Sequence, residues 1–114
     1  MILVTGATNF IGRTVVRQLT AEGHEVCCLV QASQFEQQLP TDVTFSIVAA
    51  GLDDISALRQ AMQDVTAVIH LTREEERPDE RTLVDHAKGT NNLLKAAQEA
   101  DVTRFIYDGD DVVA

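Results

Sequence analysis

Short apolar runs alternate with amphipathic stretches along the whole chain. Ile2-Leu3-Val4 is an uninterrupted apolar run of the kind that forms a buried strand. A glycine-bearing loop follows. Ile11, Val15, Val16 and Leu19 then fall on one face of a helix expected over about 11–22, with Gly23 as its stop. His24 to Val30 (HEVCCLV) predicts a second strand, and the polar stretch 31–42 a loop with room for a short helix. Val43 to Val48 (VTFSIV) predicts a third strand. Asp53 or Asp54 can cap a helix over about 54–63 that presents Ile55, Leu58 and Met62 on one side. Thr66 to Leu71 (TAVIHL) reads as a fourth strand, and the charge run 73–81, with its proline, as a solvated loop. A long helix over about 80–99 is expected to turn Leu83, Ala87, Leu94 and Ala97 inward, before a fifth strand from Thr103 to Tyr107 (TRFIY).

Five short strands separated mostly by helices predict a parallel sheet, because each parallel connection needs a long crossover. A glycine loop directly after the first strand favours the order 3-2-1-4-5 over the flavodoxin order. The expected fold is therefore α/β: a three-layer, Rossmann-like domain over residues 1–114, with helices flanking a five-stranded parallel sheet. No internal repeat or second domain is visible.

Composition narrows the function. The chain is 45% hydrophobic and 24% charged, which excludes a disordered or coiled-coil protein. Its net charge of −9 argues against nucleic acid and anionic membranes as partners, since both need clustered Lys and Arg. No apolar stretch approaches the roughly 18 residues of a membrane span. The first strand opens at Met1 without room for a leader peptide, so a cytoplasmic setting is expected. Cys27 and Cys28 are adjacent, so a strand sends them to opposite faces, where they act as small hydrophobes and do not bridge each other.

The chemistry-bearing motif is TGATNFIG at 5–12. A glycine turn between a buried strand and a helix aims free backbone N–H groups at the crevice above the sheet. The helix dipole adds partial positive charge there, and a pyrophosphate can bind. Gly6 permits the tight turn and Gly12 lets the helix pack closely on the strand.

Residues 1–13 (MILVTGATNFIGR) resemble the opening of the extended and atypical short-chain dehydrogenases, the NAD-dependent epimerase/dehydratase and NmrA-like group, whose loop runs TGxxGxxG. The likeness continues in order. Val65 to Leu71 is similar to the "DAVIHLA" of strand four, Gly89 to Ala97 to "GTxNLLxAA", and Val102 to Tyr107 to "VKRFVY". This resemblance implies NAD or NADP as the bound dinucleotide. It would lie against Gly6, Thr8, Asn9, Phe10, Ile11 and Gly12 of the loop. Gln31 would border it after strand two, Gly51 and Leu52 after strand three, and Leu71 and Thr72 after strand four.

Several of these positions depart from the family pattern. Asn9 replaces the middle glycine; Asn tolerates a left-handed backbone, so the turn can survive, but its side chain would crowd a pyrophosphate or replace a water. Gln31 stands where the family has Asp for a ribose 2′-hydroxyl or Arg for a 2′-phosphate, which leaves NAD and NADP both open; Arg13 is read either as an aid to a 2′-phosphate or as a helix-surface residue. Gly51 stands where the family's Asp reaches the adenine. The adenine amine would then go unmet unless Asp53 shifts in, while Leu52 can still pack on a purine. Thr72 replaces an Ala beside the expected nicotinamide ribose. Gly109 and Asp110 stand where a hydroxyl pair is expected, and Asp108, Asp110 and Asp111 read as a solvated acidic turn before a cation site.

The family's general base is a Tyr four residues before a Lys, on a helix after strand five. The only tyrosine, Tyr107, has Asp111 four residues on, and the chain reads as truncated before that helix. No catalytic residue is assigned, and no metal site. Three readings follow: a dinucleotide-binding domain without turnover on its own, a cofactor-free pseudo-enzyme or interaction module, and a redox-responsive regulator of NmrA type. Strand five would form an open edge, so a homo-oligomer or partner chain is expected there.

Overall fold

β1 (Ile2–Thr5) runs through the middle of the sheet, with Leu3, Val4 and Thr5 all buried. A strand covered on both faces needs apolar residues in succession, which explains the unbroken run at the start of the chain. A computed structural model describes residues 1–8, 10–31, 39–71 and 80–108, the last strand and α3 in part by backbone alone. Along it follow α1 (Phe10–Ala21), β2 (Val26–Val30), β3 (Ser46–Ala49), α2 (Ile55–Ala61), β4 (Ala67–Leu71), α3 (Glu80–Glu99) and β5 (Arg104–Asp108). All neighbouring strands pair in parallel, in the order β3-β2-β1-β4-β5. The predicted α/β fold and its 3-2-1-4-5 order are therefore observed. The predicted short helix within 31–42 and most of the charge run fall outside the described residues.

Strand alternation sorts the core into two layers. Leu3, Cys27, Leu29 and Val68 pack with Leu58 and Met62 near α2 and with Leu93, Ala96 and Ala97 of α3. Val4, Cys28 and Val30 face the other way, against Val16 of α1. The adjacent cysteines thus belong to opposite layers, and both are free thiols.

Three sequence expectations shift. His24 is outside β2 because its N–H bonds the Leu19 carbonyl at 3.1 Å while Gly23 N–H bonds Thr20, the paired bonds of a Schellman stop. β3 begins at Ser46, three residues later than the apolar pattern suggested, since Val43 and Phe45 pack beneath the α1 layer instead of extending the ladder. The inner face of α3 is met only in part: Ala97 is buried as expected, but Ala87 is exposed and Leu94 half-buried, whereas Gly89, Thr90, Leu93 and Ala96 are buried; the Leu83 side chain lies outside the described residues. Gly89 lies close against Leu52, so contact with the turn before α2 selects this stripe.

Burial raises the Cys27 thiol above its usual range, and burial with the neighbouring Cys27 pushes Cys28 up to about 12. Thiolate is the reactive form, so both side chains stay protonated and inert well above neutral pH. Labelling with a chromogenic disulfide at pH 8 should consequently be negligible in the native protein and should reach two equivalents in denaturant. Rapid native labelling would contradict the burial of either strand face.

Candidate functional site

The carboxyl ends of the strands open onto one crevice, and the order reverses on either side of β1. The chain leaves β1 through Gly6, whose φ of 73° lies in the left-handed region. A Cβ at Gly6 would strike the Leu71 carbonyl oxygen at the end of β4. Gly12, in the first turn of α1, sits on the Gly6 carbonyl, and a Cβ there would also lie 2.7 Å from the Ala7 Cα. The start of α1 is therefore held against the end of β1 at a distance that only two glycines allow. Arg13 Nη1 donates to the Thr8 carbonyl at 2.7 Å, tying the helix back onto the loop.

A buried polar chain underlies this turn. Thr5 Oγ1 accepts from Leu71 N–H at 3.2 Å and pairs with His70 Nδ1 at 2.5 Å, while His70 Nε2 pairs with Thr90 Oγ1 at 2.9 Å. Thr5, His70 and Thr90 are all buried, so each of these hydrogen bonds satisfies a group that water does not reach. Tyr107 stacks on the imidazole with ring centroids 5.4 Å apart. The chain links β1, β4 and α3 directly below Gly6. Sequence reasoning missed it, since His70 stands there only as one of three scattered histidines. The available signal was register: Thr5 and His70 are the two polar residues at the ends of adjacent apolar strands, and they are direct partners in the ladder.

The neighbouring rim is built by β2 and β3. Gln31 follows β2 and is half-buried. Ala50 N–H bonds the Val30 carbonyl at 3.1 Å, which brings the end of β3 beside it. A turn then closes through Asp54 N–H to the Gly51 carbonyl, and Asp54 Oδ1 caps α2 by accepting from Ala57 N–H, each at 3.1 Å. Asn92 Nδ2 of α3 holds the Leu52 carbonyl at 2.9 Å. The Asp53 carboxylate folds back over Gly51, with Oδ1 2.5 Å from the point a Cβ there would occupy.

The sequence candidates thus divide by placement. Gly6, Thr8, Gly12 and the Leu71 carbonyl converge at the β1 turn. The Leu71 side chain is buried in the α1 layer, and the half-buried Leu52 packs on the α3 layer with its carbonyl held by Asn92. Phe10 and Ile11 stand exposed at the start of α1, at 76% and 49%. Gln31 and Gly51 share the β2–β3 rim. Asn9, Thr72, Gly109, Asp110 and Asp111 lie outside the described residues. Among the described residues no group of three or more His, Cys, Asp or Glu is placed to hold a metal ion, and no helix is long and apolar enough to cross a membrane.

Comparison with known proteins agrees with this geometry. A family model described as NAD dependent epimerase/dehydratase matches residues 2–109. The chain is 34% identical over 110 residues to a putative dihydroflavonol 4-reductase of Synechocystis, covering 91% of this chain and 31% of that protein. It is 32% identical over 108 residues to the photosystem II assembly factor Ycf39 of the same organism, covering 93% and 32%. A short-chain dehydrogenase/reductase superfamily protein from Agrobacterium tumefaciens, solved with bound NAD, superposes with a TM-score of 0.73 at 33% identity, covering 94% of this chain and 31% of its own. The chain spans about a third of the length of these relatives.

The two glycine positions allow a direct test. Gly12→Ala forces a methyl into backbone atoms that cannot yield, and should cost roughly 1–3 kcal/mol in urea unfolding. Gly51→Ala meets only the movable tip of Asp53 and should cost well under half as much. Equal losses would mean that the β1–α1 packing is not the tight one.

Proposed function

The chain belongs to the NAD dependent epimerase/dehydratase family, and on that premise we propose that these residues bind NAD or NADP at the β1–α1 turn without turning it over on their own. The observation that carries this reading is the close backbone packing at Gly6 and Gly12, which brings the start of α1 onto the carboxyl end of β1. A helix N-terminus brought to the end of a central strand places backbone N–H groups and the helix dipole where a pyrophosphate can bind. The NAD-bound Agrobacterium protein, 33% identical to this chain over the matched stretch, supports the same placement. Phe10 and Ile11, exposed beside the loop, would cover the bound molecule. Gln31 offers an amide to a ribose hydroxyl and no charge for or against a 2′-phosphate, so both dinucleotides are expected to bind. When bound, the nicotinamide supplies hydride chemistry; this chain's part is to hold the pyrophosphate and ribose.

The residues present speak against turnover by these residues alone. The 114 residues contain one tyrosine, and it is followed four positions later by Asp111 instead of the lysine that would lower a phenol's pKa. Tyr107 is also committed to stacking on His70. Redox or epimerase activity of a longer protein would therefore draw its general base from outside these residues. A second reading, in which the fold serves protein assembly or redox signalling, is favoured by the likeness to a protein named as an assembly factor.

Titration with NAD, NADH, NADP and NADPH separates the two. At a hundredfold excess over Kd, a bound dinucleotide should stabilise the fold by about 2.7 kcal/mol, read as a thermal shift. Phe10→Ala should weaken that shift with little change in the unliganded melting temperature, and Asn9→Gly should strengthen it if the side chain crowds the phosphates. No shift with any of the four would overturn the binding reading and leave the assembly reading in place.

We further propose that β5, an edge strand whose Ile106 is 47% exposed, pairs with a second copy or a partner chain. Light scattering of the isolated chain at high concentration should give more than the monomer mass of 12.5 kDa. A clean monomer would remove the second copy from consideration.

A further inference from the structure

Helix α3 reaches the β1–α1 turn through side chains that lie beneath it. Thr90 of α3 is buried and pairs through Oγ1 with His70 Nε2 at 2.9 Å, and His70 Nδ1 pairs with Thr5 Oγ1 at 2.5 Å. Thr5 Oγ1 in turn takes the Leu71 N–H at 3.2 Å. Leu71 is thereby held twice, because its carbonyl is also the atom on which Gly6 is packed. Gly6 follows Thr5 directly in sequence. The last link of the chain and the turn it acts on are consecutive residues.

His70 suits this position because its two nitrogens stand on opposite sides of one rigid ring, and each meets a hydroxyl. A hydroxyl both donates and accepts, so both pairings hold whichever nitrogen carries the proton. The ring is also held on its face: Tyr107 stacks at 5.4 Å with the planes 20° apart, and Phe105 lies tilted at 6.3 Å. A buried nitrogen that lost Thr90 would have no bulk water in its place. The ring would shift to recover a partner, and Thr5 Oγ1, joined to its other nitrogen, would shift with it. The ladder itself does not need these groups, since β1 and β4 pair along their backbones from Ile2 with Ala67 to Thr5 with His70. Apolar side chains of like shape can replace a buried polar pair at little cost in stability. What the polar chain adds is a fixed direction for Thr5 Oγ1, and with it a fixed Leu71.

We propose that Thr90 and His70 are positioning residues for dinucleotide binding, acting through Thr5 and Leu71 on the Gly6 turn. This rests on the dinucleotide reading above. The affinity of the turn is then governed in part from α3, which packs on the opposite face of the sheet from α1.

The test measures NAD binding by calorimetry, and amide hydrogen exchange at Leu71 by NMR, on the 114-residue chain and four variants. Thr90→Val and Thr5→Val cut the chain at its two ends without changing side-chain shape. Each should weaken NAD by about three- to tenfold, the worth of one hydrogen bond, and speed exchange at Leu71 relative to the rest of β4. Thr90→Ser returns the hydroxyl and should restore both quantities. Leu58→Val loosens the same core layer without removing a polar contact, and should lower the melting temperature while leaving NAD affinity and Leu71 exchange unchanged. A Leu71 amide that keeps its protection in both valine variants of the chain overturns the positioning role and leaves dinucleotide binding standing. So does an NAD affinity that falls no further in them than in Leu58→Val. Failure of the unaltered chain to bind NAD overturns both.

Discussion

The packing of Gly12 on the Gly6 carbonyl sets the spacing on which the upper half of the molecule depends. A parallel sheet fixes where β1 ends, and α1 must pack its apolar face on that sheet through Val16. The helix can reach this position only if its first turn rides directly on the backbone leaving β1, where neither Gly6 nor Gly12 has room for a side chain. Relaxing that approach would lift the start of α1 away from Val4, Cys28 and Val30, and the α1 layer would lose its depth.

The turn needs support from below, because a left-handed glycine at the end of a four-residue strand gives no stiffness by itself. Thr5, His70 and Thr90 supply it. Their hydrogen bonds cross from β1 to β4 and on to α3 in a region without solvent, where leaving one partner unmatched costs about 1–3 kcal/mol. Thr5 also fixes Leu71 N–H, and the Leu71 carbonyl is the atom against which Gly6 is packed. The polar chain thus acts on the loop through backbone it has already aligned. Stacking of Tyr107 extends the arrangement to β5.

How much of this was legible in the sequence depended on whether the deciding interaction was local. Alternation of apolar runs and helical stripes pointed to five strands, and the glycine loop to their order, because both signals lie within short windows of sequence. The start of β3 was not legible: Val43 and Phe45 alternate with polar residues whether they extend a ladder or pack below it. The face of α3 failed for a related reason. Ala87 and Leu94 could have turned inward as readily as Gly89, Leu93 and Ala96, and Leu52, from a distant turn, decides between them. His70 carried no sign of its role, since only the register with Thr5 places it. The fold-back of Asp53 likewise depends on a turn closed by Asp54, not on its spacing from Gly51 alone.

These distinctions bear on why the departures from the family pattern fall where they do. The turn between β1 and α1 is made of backbone, and its requirements are negative: no Cβ at Gly6, none at Gly12. Such a requirement cannot drift without disturbing the fold, so it persists whatever the chain now does. The base-facing rim is made of side chains projecting from a turn whose backbone is held by Asn92 and Asp54. Substitution at Gln31 or Gly51 leaves those bonds in place, so the rim can change how it meets a ligand at little cost in stability.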